Sequence, residues 1–188
     1  MAAAEAVAAA QLKTLSGCQL AIGAYPAFRY DAAGGGGPAA LGPEAGGGRR
    51  ALRFAPQTLT IPALRSGTTR WLGLPLPPGL QIEVIPLRLE GWLEAGSGAI
   101  ELAFEARFQF SALGLYRPPA LQVCCTLSSG ACRSQRHQRR GSPLSAAGEA
   151  TLVGVALVPP SGDPWLDRFL GLPDEALAVL RCRLRAPG

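Results

Sequence analysis

The sequence predicts a mainly β, single-domain antiparallel barrel or two-layer sandwich of about seven strands, with one short C-terminal helix. Three observations carry that expectation. Ile100, Leu102, Phe104, Ala106, Phe108 and Phe110 alternate with Glu101, Ala103, Glu105, Arg107 and Gln109. A period of two puts the first set on an apolar face and most of the second in water. Residues 82–93 precede this arm across Glu94–Ala99, whose glycines suit a reversal, so 82–110 reads as one long hairpin. Many of the 24 glycines and 17 prolines lie between alternating segments, which favours strands and turns over long helices.

At 188 residues the chain suits one domain, with residues 1–15 as an N-terminal tail and 16–188 as the β domain. Its 48% hydrophobic content excludes general disorder. The formal charge is +5, and Lys13 is the only lysine, so arginine carries nearly all the positive charge. A GC-rich coding sequence accounts for that bias more readily than a selected anion-binding surface. The five cysteines, at 18, 124, 125, 132 and 182, are odd in number and irregularly spaced. Without a Cys-x-x-Cys pair, and with His137 the lone histidine, no metal site is expected. Small buried hydrophobes in a reducing compartment are the simpler reading of the thiols. No apolar run approaches the ~20 residues of a membrane helix, so a soluble protein is expected.

In chain order, the alanine-rich start (1–10) reads as a short helix or a frayed tail. It lacks the pattern of a secretory signal or a transit peptide, so the chain is either untargeted or already processed. Residues 19–30 form a first strand, with Cys18, Leu20, Ile22 and Ala24 on one face and Pro26 bending it. Residues 32–48 read as a flexible Gly/Ala loop. No Gly-Lys-Ser/Thr follows its four glycines, which excludes a phosphate cradle. Residues 52–64 form a second strand at an edge or kinked, because Pro56 and Pro62 lack the donor a central strand needs. Residues 66–80, containing Trp71 and Leu72, are an apolar connection over one end of the core, or an interaction surface if exposed.

Within 82–93 the alternation changes phase. Ile82 and Val84 share one parity, Ile85, Leu87, Leu89 and Leu93 the other, and Pro86 follows the change, so a bulge is expected there. Trp92 projects with Arg88 and Glu90. After Phe110 come a turn at 111–116, a strand at 120–127, and a basic insertion at 128–147. Residues 151–158 are apolar at nearly every position, as a strand covered on both faces would be. Asp163 then caps a helix with Pro164 at its first position and Gly171 after its end. Trp165, Leu166, Phe169 and Leu170 share a face of that helix, and a second short turn starts at Pro173. Residues 178–186 are a last strand, with Leu180, Cys182 and Leu184 inward and three arginines outward.

Catalytic chemistry finds little footing, and no catalytic residue, metal or cofactor is assigned. Any Ser-His-Asp or Cys-His device must use His137, which sits among arginines in the insertion. The carboxylates of the hairpin lie on solvent faces, where cross-strand pairing with Arg88 and Arg107 explains them. Arg133, Arg136, Arg139 and Arg140 are candidate anion-binding residues, for phosphate, RNA or an anionic surface. No aromatic side chain interleaves with them, which weighs against nucleic acid as a partner.

Leu20-Ala-Ile-Gly-Ala-Tyr-Pro26, Leu72-Gly-Leu-Pro-Leu-Pro-Pro78, Tyr116-Arg-Pro-Pro-Ala-Leu121, Leu152-Val-Gly-Val-Ala156 and Phe169-Leu-Gly-Leu-Pro173 carry a resemblance. On these stretches the region 16–184 resembles an uncharacterised family of chloroplast and cyanobacterial-type proteins of photosynthetic organisms. The resemblance implies a chloroplast setting, with the cytoplasm as the alternative. It implies no activity, and no functional residue is transferred through it.

The expected function is therefore non-enzymatic. The chain would bind an apolar ligand (lipid, pigment or isoprenoid) inside the sheet, or hold a protein partner of a photosynthetic membrane complex. Phe104, Phe108 and Phe110, with Trp71 and Trp165 near likely openings, are the candidate ligand-binding residues. An enzyme of lyase or isomerase type would instead need Tyr25, Tyr30, Asp31 or Tyr116 to converge on a pocket. Binding of RNA or an anionic surface would need the four arginines of 133–140.

Overall fold

A computed structural model describes residues 8–186 of the chain. Its strands are β1 (Ala8–Thr14), β2 (Cys18–Ile22), β3 (Phe28–Tyr30), β4 (Gly36–Ala45), β5 (Arg49–Phe54), β6 (Thr69–Trp71) and β7 (Leu74–Pro75). Then come β8 (Leu80–Glu94), β9 (Ile100–Ala112), β10 (Leu121–Ser128), β11 (Ala131–Arg133), β12 (Gln138–Arg140), β13 (Glu149–Val158) and β14 (Asp174–Arg185). One helix, α1 (Pro164–Leu170), lies between β13 and β14. The fold is mainly antiparallel β with a single short α-helix among the described residues, as expected.

The pairings run from β1 through β4, β5, β8, β9, β10 and β13 to β14, and β14 pairs back with β1. This barrel-like circuit is thin at one junction. Between β10 and β13 the register holds a single pair, Ser128 with Val153. By contrast β9 and β10 stay in register from Phe108–Leu121 to Glu101–Ser128. The first half of β14 also carries β2, from which β3, β6 and β7 extend the sheet.

The hairpin of β8 and β9 forms as its alternation dictates. Ile100, Leu102, Ala106 and Phe110 are buried, while Arg107 is exposed. The phase change in β8 is a real bulge, with the register shifting between Pro86 and Arg88. Its position differs from the expected one by a residue pair. Ile85 stays outside with Glu83, and Leu87 is the residue that absorbs the shift. On the outer face Trp92 is half-buried, with the Arg49 guanidinium 4.0 Å from its ring centre.

Two expectations at the N-terminal side are corrected and a third is narrowed. Of the assigned tail, residues 1–7 lie outside the described residues, but Ala8–Thr14 is a strand paired on both sides, with β4 and β14. Ala10 and Leu12 alternate into the core, a pattern too short to stand out beside alanines. The Gly/Ala segment is likewise no loop: Gly36–Ala45 is β4, with Ala39 and Leu41 inward. Glycine serves close approach there. A Cβ on Gly36 would lie 2.0 Å from the Leu12 carbonyl oxygen. For residues 52–64, expected at an edge or kinked, the edge is excluded and the strand breaks off before Pro56. β5 ends at Phe54 between β4 and β8, and Pro56 opens a one-turn 3-10 helix beyond it.

The remaining elements follow the sequence with local differences. Residues 19–30 split into the hairpin of β2 and β3. β13, expected to be covered on both faces, is covered on its outer face only in part: the β11–β12 ribbon packs against it and outward-facing Val153 is buried, but Leu157 is exposed. β14 starts at Asp174, so the second turn expected at Pro173 is strand instead. Asp163 caps α1 by accepting the Leu166 amide at 2.8 Å, and Gly171 ends it with φ 70°. The helix face is divided, however. Leu166 and Leu170 are buried, whereas Trp165 and Phe169 point outward.

Candidate functional site

Inward residues of the strands build two stacked core clusters, one around Leu52, Leu102 and Leu152, the other around Leu64, Phe110 and Leu166. Phe104 and Leu180 pack against both. An eight-strand circuit leaves an interior about wide enough for side chains or one small ligand. This interior is not completely filled. A cavity of about 70 Å³ lies toward α1, and another of about 100 Å³ lies toward the middle of the barrel. Leu20, Leu64, Phe104, Phe108 and Ala178 border both, so the two are separated only by side chains. Phe110 borders the smaller one alone.

The three phenylalanines therefore meet as the alternation of β9 requires. The two tryptophans do not join them. Trp71 stacks on Phe28 with ring centres 6.0 Å apart, and Phe28 in turn lines the smaller cavity. The Trp71 indole N–H donates to the Pro26 carbonyl at 3.1 Å. Trp165 stands outside the interior, in a line of aromatic rings that crosses α1: Tyr116 edge-on at 5.3 Å, Phe169 stacked at 5.5 Å, then Tyr25 at 6.0 Å from Phe169. These contacts rim the end of the barrel below the smaller cavity.

The thin β10–β13 junction lies beside the cavities. Val123 and Cys125 of β10 and Ala156 and Val158 of β13 line the smaller one from opposite sides of that junction. An outer groove there is bordered by Phe104, Cys125 and Val155, with Arg88 and Glu105 nearby. Burial pushes the Cys125 thiol up to about 12, which keeps it neutral and apolar. Cys182 is raised to about 12 for the same reason. The reading of all five thiols as buried is corrected, because Cys124 points outward from β10 and is exposed.

The polar groups named for an enzyme do not converge. Tyr30 lines the larger cavity, but its hydroxyl donates to the Pro62 carbonyl oxygen, and burial raises its pKa. The Tyr25 hydroxyl donates to the Phe169 carbonyl oxygen at the surface. Asp31 accepts the Ala33 amide in a turn, and the Tyr116 hydroxyl donates to Asp163 at 2.9 Å. Each is occupied by a neighbour, so no pair is poised for proton transfer.

The basic insertion folds into the β11–β12 ribbon, a feature its composition did not signal. In its register Arg140 faces Ala131 and Arg139 faces Cys132, so Arg133 and Arg140 fall on one face and Arg139 on the other. Arg136 sits in the turn, where its Nε donates to Asp174 at 2.7 Å, and its amide and that of Gln135 donate to Glu175. The four arginines are exposed but do not form one anion cradle. No group of three or more metal-ligating side chains occurs among the described residues. No helix among them is long and apolar enough to cross a membrane. Comparison of the chain with family models, with curated proteins and with solved structures gave no match in any of the three.

Proposed function

We infer that this chain is a non-enzymatic binding module whose interior takes up a narrow apolar chain, such as the acyl or isoprenyl tail of a lipid or pigment. One observation carries the reading: two cavities with apolar walls share five bordering residues, of which Phe104 and Phe108 are the largest. Neither cavity alone approaches the roughly 300 Å³ of a drug-sized pocket. Swinging the two rings aside joins them into one slot along the barrel axis, narrow enough for a methylene chain and too narrow for a ring system. A tail is thus favoured over a whole pigment. With no polar group aimed into the slot, the head of such a ligand stays outside, at the β10–β13 groove or at the α1 end. A chloroplast setting, implied by the resemblance to chloroplast and cyanobacterial-type proteins, belongs to the same proposal.

Displacement of a fluorescent polyene fatty acid from the purified protein tests it. Straight-chain fatty acids and prenyl alcohols should compete, and short polar analogues should not. A protein that leaves the probe's emission unchanged at every concentration contradicts the reading.

A further inference from the structure

The end of the barrel that carries α1 displays large apolar side chains to water. Leu72, Leu74, Leu113, Leu115, Trp165 and Phe169 range from 51% exposed at Phe169 to 91% at Leu115. They stand on three segments that touch one another in turn. The Leu113 amide donates to the Gly79 carbonyl at 2.8 Å, which joins the β9–β10 turn to the segment after β7. Tyr116 joins that turn to α1 through Trp165 and Asp163. Tyr25 and Pro26 close the rim, against Phe169 on one side and Trp71 on the other.

Two of the leucines oppose local stability twice over. Leu72 and Leu113 have φ of 53° and 54°, a left-handed conformation that glycine or asparagine adopts with less strain. Their side chains are in water as well. A residue unfavourable both in backbone and in exposure, at two turn tips on one rim, marks selection for something other than folding.

We propose that this rim docks on the surface of a lipid bilayer, with the leucines inserted among acyl chains and Trp165 and Phe169 at headgroup level. The shape favours a bilayer over a protein partner. The side chains stand on two turns, the short strand β7 and α1, and border none of the cavities or the groove described above. The nearby sheet edge, β7, carries Pro75 with Pro77 and Pro78 following, which blunts strand addition. The exposed charge on the rim favours anionic lipid. Arg70, Arg117 and Arg168 face outward, and of these Arg117 has only a 3.9 Å contact with Glu83. Asp163 and Asp167 are turned inward, accepting from the Leu166 amide and from Ser161. Apolar residues beneath an interfacial aromatic and basic belt match the bilayer's own layering. The docking stands without any ligand in the barrel, so either proposal survives the loss of the other.

Flotation of the full chain with vesicles of phosphatidylcholine alone, and with an equal part of phosphatidylglycerol, tests it. The protein should float with the mixed vesicles, with the Trp165 emission of a Trp71→Phe, Trp92→Phe background shifted to the blue and quenched by shallow bromolipids. The triple variant Leu72→Asn, Leu113→Asn, Leu115→Ser should bind at least about tenfold more weakly while melting no lower than the parent, because two strained turns are relieved. Absence of flotation with both vesicle types overturns the proposal, as does equal flotation of the triple variant. Concentration-dependent self-association that the triple variant abolishes, without vesicle binding, assigns the rim to a second copy and overturns it too.

Discussion

Phe104 lies directly opposite Cys125 across the β9–β10 ladder, and both residues border the interior cavity and the outer groove at the thin β10–β13 junction. This pair is where inside and outside come nearest. Farther along the barrel, Ser128 and Val153 hold β10 against β13. Below them the strands share no registered pair, so an opening costs few hydrogen bonds. On the proposed reading, the ligand slot and its route of access meet at this pair.

Truncating that residue separates stability from capacity. Phe104→Ala should lower stability by about 3 kcal/mol, the low end for a phenylalanine truncation, because the ring is half-buried and already adjoins empty space. It should also raise affinity for longer chains by merging the two cavities. Urea denaturation and the fatty-acid displacement assay read the two effects on the same sample.

The Gly/Ala strand β4 can be tested by two alanines in one segment. Gly36→Ala would drive a Cβ to 2.0 Å from the Leu12 carbonyl oxygen at a φ of 116°, and should cost at least about 2 kcal/mol. Gly46→Ala meets nothing within 4 Å, and should change stability by less than about 0.5 kcal/mol. Paired melting curves distinguish a closely packed strand from a flexible loop, in which both substitutions would be silent.

Buried thiols set an alkaline limit. Cys125 and Cys182 are raised from an ordinary value of 9.0 to about 12, so the folded chain holds protons that the unfolded chain releases. Their contribution is fully present below pH ~9 and is lost as the pH climbs toward about 12. At pH 10.5 each thiol should have removed about 2 kcal/mol relative to pH 8, in the limit of no relaxation. Urea midpoints at the two pH values measure the loss, and Cys182→Ala should reduce it. In the folded state at neutral pH an alkylating reagent should modify exposed Cys124 ahead of both.

The legible parts of this fold are those where alternation and burial coincide. β9 was readable because six inward positions are large or aliphatic and most intervening ones are polar. The bulge in β8 was readable from its parity change, although Ile85, an outward isoleucine, shifted its apparent position. α1 was bounded by its cap and its terminal glycine, but the outward turn of Trp165 and Phe169 was not visible, because a stripe of four apolar residues gives no sign of which pair is buried. β1 and β4 were missed for a single reason. Alanine and glycine carry almost no hydrophobic contrast, yet they are what close packing between β1 and β4 demands. The ribbon of β11 and β12 depends on contacts with β13 and on Arg136 reaching Asp174, which no local pattern encodes.

Native mass spectrometry of the chain, incubated with fatty acids and prenyl alcohols of increasing length, tests the interior reading most directly. The account predicts a one-to-one adduct whose retention grows with chain length until the slot is full, and its loss in Ala178→Leu, which fills the wall shared by both cavities while leaving the melting transition cooperative. No adduct at any length, or equal retention by a folded Ala178→Leu protein, would contradict it.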